Sequence, residues 1–284
     1  MIINFNTLLF LPLLTFMSNM IIPERAHNKT VTVVIHGTKP PARVSRMFQI
    51  SHKFFYTPPG LCNAQFVNSR YRYGKIVRTL NESDPCRFPT ENVFLFGWSG
   101  TLSTSERRKA AENLYEELKN LLKHYPQSTK LRIVAHSHGG NVVLNLPFIQ
   151  KDKSIKVIVD ELVLLACPVQ QYTAPNLEDP MFKNIIALYS KTDILQIIDL
   201  QGLQKENHAQ QKHGTLFSKR RFKEQNNLVQ CRVRSKKRDL MHIEFVMSNF
   251  IQKLSNVLNA VQNQLSLFKD QHPDKNIIEL QDLD

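Results

Sequence analysis

The chain has 284 residues, of which 42% are hydrophobic, so it can bury the core of one large domain and does not have the composition of a disordered protein. Its formal net charge of +13 is concentrated locally, because residues 203–238 hold eleven lysines and arginines against two glutamates. That segment has no interleaved aromatic pairs and no groove-reading helix, so nucleic acid is not expected as a partner. We interpret it as a solvated basic loop, with an anionic membrane surface as the alternative partner.

The N-terminal segment 1–23 has no charged side chain and contains LLFLPLLTFM, an apolar run typical of an export signal. It lacks a basic start and a small-residue cleavage site, while Pro12 and the short apolar length disfavour a transmembrane helix. An apolar strand or a helix packed on the domain is the alternative. The segment therefore favours an exported or membrane-associated location over a cytoplasmic one.

Short runs rich in β-branched and aromatic residues alternate with helical patterns along the rest of the chain. The runs are VTVVIHG (31–37), NVFLFGW (92–98), LRIVAHS (131–137), ELVLLAC (161–167), NIIALYS (184–190) and LVQCRVRS (228–235). Most are continuous enough for strands buried on both faces. The alternation predicts an α/β fold with a mostly parallel central sheet and helices on both faces.

Three helices are predicted between and after these strands. The first follows a capping box formed by Ser103 and Glu106, and its apolar residues recur at helical spacing. The second follows Ser137 and is ended or kinked by Pro147. The third is a long terminal helix over 243–265.

Residues 31–265 are predicted to form the domain, which contains two segments that interrupt the alternation. The long aromatic insertion 40–90, after the first core strand, is either a lid or substrate wall or additional packing over the sheet edge. The basic insertion 199–227 is predicted to be a mobile loop. The polar segment 266–284 is expected to be a frayed C-terminal tail.

The sequence contains no signature of metal or nucleotide chemistry. Its four cysteines include no CxxC pair and no metal-ligand spacing, and there is no Walker loop, G-x-G-x-x-G or H-E-x-x-H motif. Neither a cofactor nor a metal is therefore predicted. Cys62 and Cys86 either pair across one loop in an exported protein or remain free thiols, as buried cysteines often do.

The run LRIVAHSHGG places Ser137 at the corner where a predicted strand turns into a helix, with a small residue on each side at 135 and 139. Such a turn strains the backbone and lifts the hydroxyl clear of the sheet. It also directs the first free N–H groups of the helix, beginning with His138, at negative charge that develops beside the serine. Ser137 is therefore a candidate nucleophile.

The motif A-H-S-H-G at 135–139 resembles the G-x-S-x-G pattern of the α/β-hydrolase superfamily, in its lipase and esterase branch, with alanine in place of the first glycine. The resemblance covers roughly residues 31–265. VVIHGT, which ends the first strand, is similar to the oxyanion loop of that family. By that resemblance, the backbone N–H groups of Thr38 and His138 are expected to hold an oxyanion.

A serine hydroxyl needs a base, and the base needs a carboxylate to fix its tautomer. The resemblance implies the chain order serine, acid, histidine, with the last two after later strands. Asp193 follows the strand NIIALYS, and His242 lies between the last predicted strand and the terminal helix. We therefore predict Ser137, Asp193 and His242 as catalytic residues. The less favoured acids and bases are Asp179, Asp199, His208 and His213.

Other residues near the carboxyl ends of the predicted strands are given supporting roles. His36 is interpreted as a side chain that ties the oxyanion loop down, and the side chain of His136 as a packing or hydrogen-bonding group. Trp98 and Ser99 follow a strand at the same edge and are predicted to line the substrate pocket. Ser99 is favoured as a substrate contact or helix cap over a second nucleophile.

These residues predict a serine hydrolase that cleaves carboxylic esters, of lipids or other acyl compounds, through an acyl-enzyme. A thioesterase, amidase or acyltransferase would use the same residues, because the pocket chooses the acceptor. A binding protein that keeps the fold without catalysis is the alternative from another class. The presence of all the triad and oxyanion candidates disfavours it.

Overall fold

The computed structural model describes residues 29–39, 57–69, 71–197, 219–263 and 276–283. Its strands are β1 (Thr30–Ile35), β2 (Gly60–Asn63), β3 (Val93–Gly97), β4 (Lys130–His136), β5 (Glu161–Leu165), β6 (Ile185–Tyr189), β7 (Leu228–Ser235), β8 (Arg238–Asp239) and β9 (Ile277–Glu279). Its α-helices are α1 (Arg72–Ser83), α2 (Thr104–Leu122), α3 (His138–Val143), α4 (Leu146–Gln150), α5 (Ser248–Ile251) and α6 (Leu254–Asn263).

The strands of the described residues form one sheet in the order β2-β3-β1-β4-β5-β6-β7-β8, and β9 also pairs with β7. The six strands from β3 to β7 in that order are parallel, whereas β2 and β8 are antiparallel additions at the two ends. The carboxyl ends of the parallel strands therefore meet at one edge, which we call the carboxyl edge. The fold class predicted from the sequence is confirmed.

Two hydrophobic clusters cover the two faces of the sheet. Neighbouring residues of β1 point to opposite faces, so Val33 packs with Leu114 of α2 while Val34 packs with Leu80 of α1 and Val257 of α6. Helices thus lie on both faces, and both faces of the parallel strands are buried. This explains why the strand sequences are continuous apolar runs.

The local signals for the first two helices have the expected structural counterparts. The Ser103 hydroxyl accepts a hydrogen bond from the Glu106 N–H, and α2 begins at the next residue. The helical stretch that follows Ser137 is interrupted after Val143, and Pro147 lies in the first turn of the next helix. Proline is tolerated there because first-turn amides have no helical partner.

The prediction of one long helix over 243–265 is wrong. A 3₁₀ helix (His242–Val246) comes first, and the extended backbone of Met247, with φ −88° and ψ 153°, separates it from α5. The Glu244 carboxylate accepts the Met241 N–H, which fixes the start of the short 3₁₀ helix. Apolar spacing alone does not reveal these breaks, since all three pieces bury apolar residues against the same face.

Much of the aromatic insertion is integral to the domain. Within 57–90, β2 pairs with β3 and α1 packs on the sheet, with Ile76 and Leu80 buried. These residues match the alternative of additional packing over the sheet edge. Residues 40–56, the segment 1–23 and residues 198–218 of the basic insertion lie outside the described residues.

The C-terminal residues 277–283 are not a frayed tail. Strand β9 pairs in parallel with β7, and the Ile278 and Leu280 side chains are buried. The Arg234 guanidinium lies 3.0 Å from the Glu279 carboxylate. Successive side chains of IIEL point to opposite faces, so Ile278 and Leu280 are buried while Ile277 and Glu279 face outward, which the acidic composition of the segment obscured.

All four cysteines are free thiols: Cys62 and Cys86 are at least partly exposed, whereas Cys167 and Cys231 are buried. Burial raises the pKa of both buried thiols, which keeps them in the unreactive protonated form. Within the described ranges, no helix is long and apolar enough to cross a membrane.

Candidate active site

Ser137 occupies a strained corner between β4, which ends at His136, and α3, which begins at His138. Its backbone has φ 53° and ψ −134°, a region that residues other than glycine rarely adopt. A hydrogen bond from the Ser137 N–H to the Leu165 carbonyl of β5, 2.8 Å long, holds the corner against the sheet. Such geometry costs about 1–3 kcal/mol and is typical of functional sites.

The loop after β1 packs directly against this corner. A Cβ added to Gly37 would lie 2.7 Å from the Ser137 Cβ, and one added to Gly139 would lie 2.5 Å from the His36 carbonyl oxygen. Only glycine fits at either position without displacing backbone or the serine. The predicted oxyanion loop therefore lies next to the predicted nucleophile, with Thr38 as the following residue.

His36 fixes the conformation of that loop. Its Nδ1–H donates to the Gly37 carbonyl at 2.7 Å, and its Nε2 accepts the Trp98 backbone N–H at 3.1 Å. The Trp98 indole N–H in turn donates to the His36 carbonyl at 2.8 Å. Burial, with a smaller effect from the Lys39 charge, lowers the pKa of His36 to about 3, so the imidazole is neutral.

The indole of Trp98 is buried against His36, with its N–H directed at the His36 carbonyl. Ser99 is exposed at the same edge, where its hydroxyl accepts the Thr101 N–H. Their proposed contact with substrate stays a prediction. Tyr73 was missed by the sequence reasoning: it is buried, and its ring lies 5.6 Å from that of His36.

Asp193 and His242 are in direct contact. His242 Nδ1 lies 2.8 Å from Asp193 Oδ2, and the Asp193 side chain is fully buried. Asp193 Oδ1 accepts the Gln196 N–H at 3.0 Å, so both carboxylate oxygens have partners. The Arg220 guanidinium donates to the Asp193 carbonyl and fixes its backbone. The carboxylate is thus oriented to hold one ring orientation of His242.

His242 also contacts the residue before Ser137. The rings of His136 and His242 have centroids 4.8 Å apart, and His136 Nε2 donates to the His242 carbonyl at 3.2 Å. His136 therefore supports the position of His242 through both its ring and its N–H. The contact also brings the Asp193–His242 pair beside the strained corner that carries Ser137.

A second carboxylate, Asp239, connects the segment before His242 to the Asp193 loop. It accepts the Lys191 N–H at 3.1 Å and pairs with the Arg232 guanidinium at 2.8 Å. The Ser190 hydroxyl, at the end of β6, donates to the Leu240 carbonyl. Sequence reasoning missed these supports, although Asp239 lies only three residues before His242.

Of the four alternative acids and bases, one lies in the described residues. Asp179 accepts the N–H of Met181 in its own turn. Asp199, His208 and His213 lie outside the described residues. Among the parts of the chain that are described, no cluster of three or more His, Cys, Asp or Glu side chains could hold a metal ion.

His138 contributes a buried imidazole whose Nδ1 has no hydrogen-bond partner. Burial, followed by the nearby charge of Arg107, lowers its pKa well below the ordinary value, and burial does the same to His136. Together with His36, three histidines next to Ser137 are held neutral in the folded chain.

These histidines predict acid-sensitive stability. The unfolded chain binds protons below pH 6.5 that the folded chain does not, so the free energy of unfolding falls as pH drops from 6.5 towards 3. Each histidine contributes up to about 1.4 kcal/mol per pH unit. Urea denaturation at several pH values measures the slope, and His138→Gln should reduce it.

The matched control is His124→Gln, because His124 is exposed in a turn after α2. This variant should keep the wild-type slope. A wild-type free energy of unfolding that stays constant between pH 6.5 and 5 would contradict the assignment of neutral buried imidazoles.

The strand order, the helices on both faces and the serine at a strand-to-helix corner define an α/β-hydrolase-like fold. No protein-family model matches the chain, and no curated protein matches it. The solved structures that are similar to it include a lipase and a phospholipase. Aspergillus fumigatus lipase B is 12% identical over 90% of this chain and 56% of that protein, with a TM-score of 0.39.

Phospholipase PlaB from Legionella pneumophila, in complex with thio-NAD, is 13% identical over 49% of this chain and 25% of that protein, with a TM-score of 0.30. The chain thus spans less than two thirds of the length of either protein. Its function is therefore argued from its own residues.

Proposed function

We propose that the chain is a serine hydrolase that cleaves carboxylic esters through an acyl-enzyme intermediate. One observation carries the proposal: the hydrogen-bonded pair Asp193–His242 packs on His136, immediately before the strained Ser137. A nucleophile, a base and a group that orients the base are the minimum set for acyl transfer by serine. Ser137 follows β4 and Asp193 follows β6, which are parallel strands separated by β5, and His242 follows the short antiparallel strand β8.

In the first half-reaction, the Ser137 oxygen forms a bond to the acyl carbon and its proton passes to His242 Nε2. Asp193 stabilises the imidazolium that results and keeps Nδ1 protonated. Collapse of the tetrahedral intermediate breaks the bond to the alcohol, which leaves with the proton from His242. Water then repeats the sequence on the acyl-enzyme and releases the carboxylic acid.

The negative charge on the tetrahedral oxygen is assigned to two backbone N–H groups, those of Thr38 and His138. The close packing of Gly37 on Ser137 supports this assignment, because it brings the Thr38 loop beside the first turn of α3. First-turn amides of a helix have no intrahelical acceptor and are available to an oxyanion. The same machinery would serve a thioester or an amide, which the pocket selects.

A fluorophosphonate probe tests the nucleophile. The full-length wild type should be labelled and should hydrolyse a soluble short-chain ester, whereas Ser137→Ala should lose both properties. Ser128→Ala, at an exposed turn before β4, is the matched control and should be labelled like the wild type. Labelling that survives Ser137→Ala would reject Ser137 as the nucleophile. Parallel assays with matched acyl esters, thioesters and amides identify the preferred linkage.

The Thr38 side chain is predicted to add a third donor to the oxyanion. Its hydroxyl oxygen is buried and has no hydrogen-bond partner, although it belongs to the loop that packs on Ser137. Thr38→Val keeps the shape and the backbone N–H but removes the hydroxyl. We expect kcat for a soluble ester to fall by about tenfold to a hundredfold, with little change in KM.

Thr32→Val is a matched control for that variant. The Thr32 hydroxyl is also buried without a partner, but it lies within β1 and not in the loop. Its removal should leave kcat unchanged. Equal kcat values for Thr38→Val and the wild type would show that the Thr38 hydroxyl does not contact the oxyanion.

A further inference from the structure

Exposed apolar side chains are concentrated beside the Asp193–His242 pair. Half of the ten large apolar side chains that are exposed in the described residues lie within five positions of one of these two residues. They are Ile194, Leu195, Met241, Ile243 and Met247. We call them the apolar rim.

The rim is formed by residues next to the two proposed catalytic residues Asp193 and His242. Ile194 and Leu195 follow Asp193 directly and are 60% and 63% exposed, while Met241 and Ile243 flank His242. Because Asp193 and His242 are in hydrogen-bond contact, the two pairs of apolar side chains surround the same point. Single exposed apolar residues are ordinary on protein surfaces, but a group of them marks an interaction surface.

Lysines surround the rim on the same edge. Lys219 is exposed, and its carbonyl accepts the Val169 N–H of the loop after β5. The next residue, Arg220, donates to the Asp193 carbonyl, which places Lys219 near the rim. The exposed pair Lys236 and Lys237 forms the turn after β7. Strand β7 extends three residues beyond its last pairing with β6, at Arg232, so the turn projects about 10 Å past the neighbouring strand.

Three carboxylates near this edge are buried or paired. Asp193 is buried against His242, Asp239 is buried against Arg232, and Glu244 is paired with Arg238. Among the described residues, the exposed Lys219, Lys236 and Lys237 outnumber the exposed Asp282 of the C-terminal segment, so the charge of these side chains around the rim is positive. An apolar centre with a cationic perimeter is complementary to a lipid surface with anionic headgroups.

We propose that the carboxyl edge docks on an anionic phospholipid bilayer, with the apolar rim inserted among the acyl chains and Lys219, Lys236 and Lys237 placed at the headgroups. This proposal rests on the proposed function, because it places the membrane at the mouth of the site that would cleave its lipids. A nucleic acid would satisfy the lysines but would leave the exposed isoleucines and leucine without an apolar contact. The bilayer satisfies both groups.

Binding of the full-length Ser137→Ala protein to sedimenting vesicles tests the proposal without turnover. Vesicles of phosphatidylcholine are compared with vesicles that also contain phosphatidylglycerol. We expect tighter binding to the anionic vesicles and weaker binding at high salt. Equal binding to both vesicle types, or none to either, would overturn the proposal.

Paired substitutions in the same background locate the surface. Ile194→Ser with Leu195→Ser should weaken vesicle binding by roughly tenfold or more. The control pair is Ile155→Ser with Ile158→Ser, which are exposed side chains before β5 at the opposite edge of the sheet. Equal weakening by the two pairs would overturn the assignment of the surface. Thermal melts confirm that each variant is folded.

A second pair of substitutions tests the lysines and changes no residue next to Asp193. Lys236→Gln with Lys237→Gln should weaken binding to anionic vesicles by roughly tenfold. Lys109→Gln with Lys151→Gln, at exposed positions of α2 and after α4, should not. Retention on a duplex DNA column without binding to vesicles would assign the surface to nucleic acid and reject the bilayer.

A soluble short-chain ester separates this proposal from the proposed function. Protein that retains Ser137 and binds vesicles but does not hydrolyse the ester would reject the hydrolase and keep the docking surface. Protein that hydrolyses the ester, in a Ser137-dependent manner, but does not bind anionic vesicles would reject the docking surface alone.

Discussion

Asp193→Asn is expected to lower kcat for a soluble ester by about 10⁴-fold while leaving the fold intact. The asparagine oxygen can still accept the Gln196 N–H, which places the amide NH₂ group opposite His242 Nδ1. An NH₂ group cannot accept the Nδ1 proton, so the imidazole would adopt the tautomer with the proton on Nε2. In that tautomer it cannot remove the proton from Ser137.

Steady-state kinetics and urea denaturation together test this expectation. Asp179→Asn is the control, because Asp179 caps a local turn and has no contact with His242. It should retain the wild-type kcat. A fall of less than tenfold for a well-folded Asp193→Asn protein would remove Asp193 from the mechanism and direct attention to an acid outside the described residues, such as Asp199.

Ser137→Gly is expected to be more stable than Ser137→Ala by about 1–2 kcal/mol, although both variants lose activity. The backbone of Ser137, with φ 53° and ψ −134°, is unfavourable for alanine and accessible to glycine. The gain is smaller than the full strain, because glycine loses more conformational entropy on folding. Urea denaturation of the two variants measures the difference.

A second pair of variants calibrates this comparison. At Ser128, in an exposed turn with no positive φ, glycine should be no more stable than alanine. If glycine and alanine gave the same stability at position 137, the corner would not store strain. The site would then owe its geometry to packing of the Gly37 loop alone.

The central architecture was predictable because its signals are local. Each parallel strand is a continuous apolar run, since burial on both faces removes the need for polar alternation. The start of α2 followed from the Ser103 cap, and the corner at Ser137 followed from small residues on either side of a serine at a strand end. The placement of Asp193 and His242 needed one further idea, that carboxyl ends of parallel strands share an edge.

The features that were missed depend on contacts between distant segments. Strand β2, with the sequence GLCN, has no strand pattern of its own and owes its conformation to pairing with β3. The breaks in the terminal helix come from backbone at Met247 that apolar spacing does not encode. The supporting role of Asp239 depends on its contacts with Arg232 of β7 and with the loop after β6, which are distant in the sequence.

The C-terminal strand is connected to the acid of the proposed triad by a relay of charges. Glu279 of β9 contacts Arg234, Arg234 lies near Asp239, and Asp239 accepts the backbone N–H of Lys191. Lys191 precedes Asp193 by two residues. Loss of β9 would therefore affect more than global stability, because it would also change the position of the proposed catalytic carboxylate, Asp193. Strand β9 thus helps to fix the position of the loop that carries Asp193, although it lies far from that loop in the sequence.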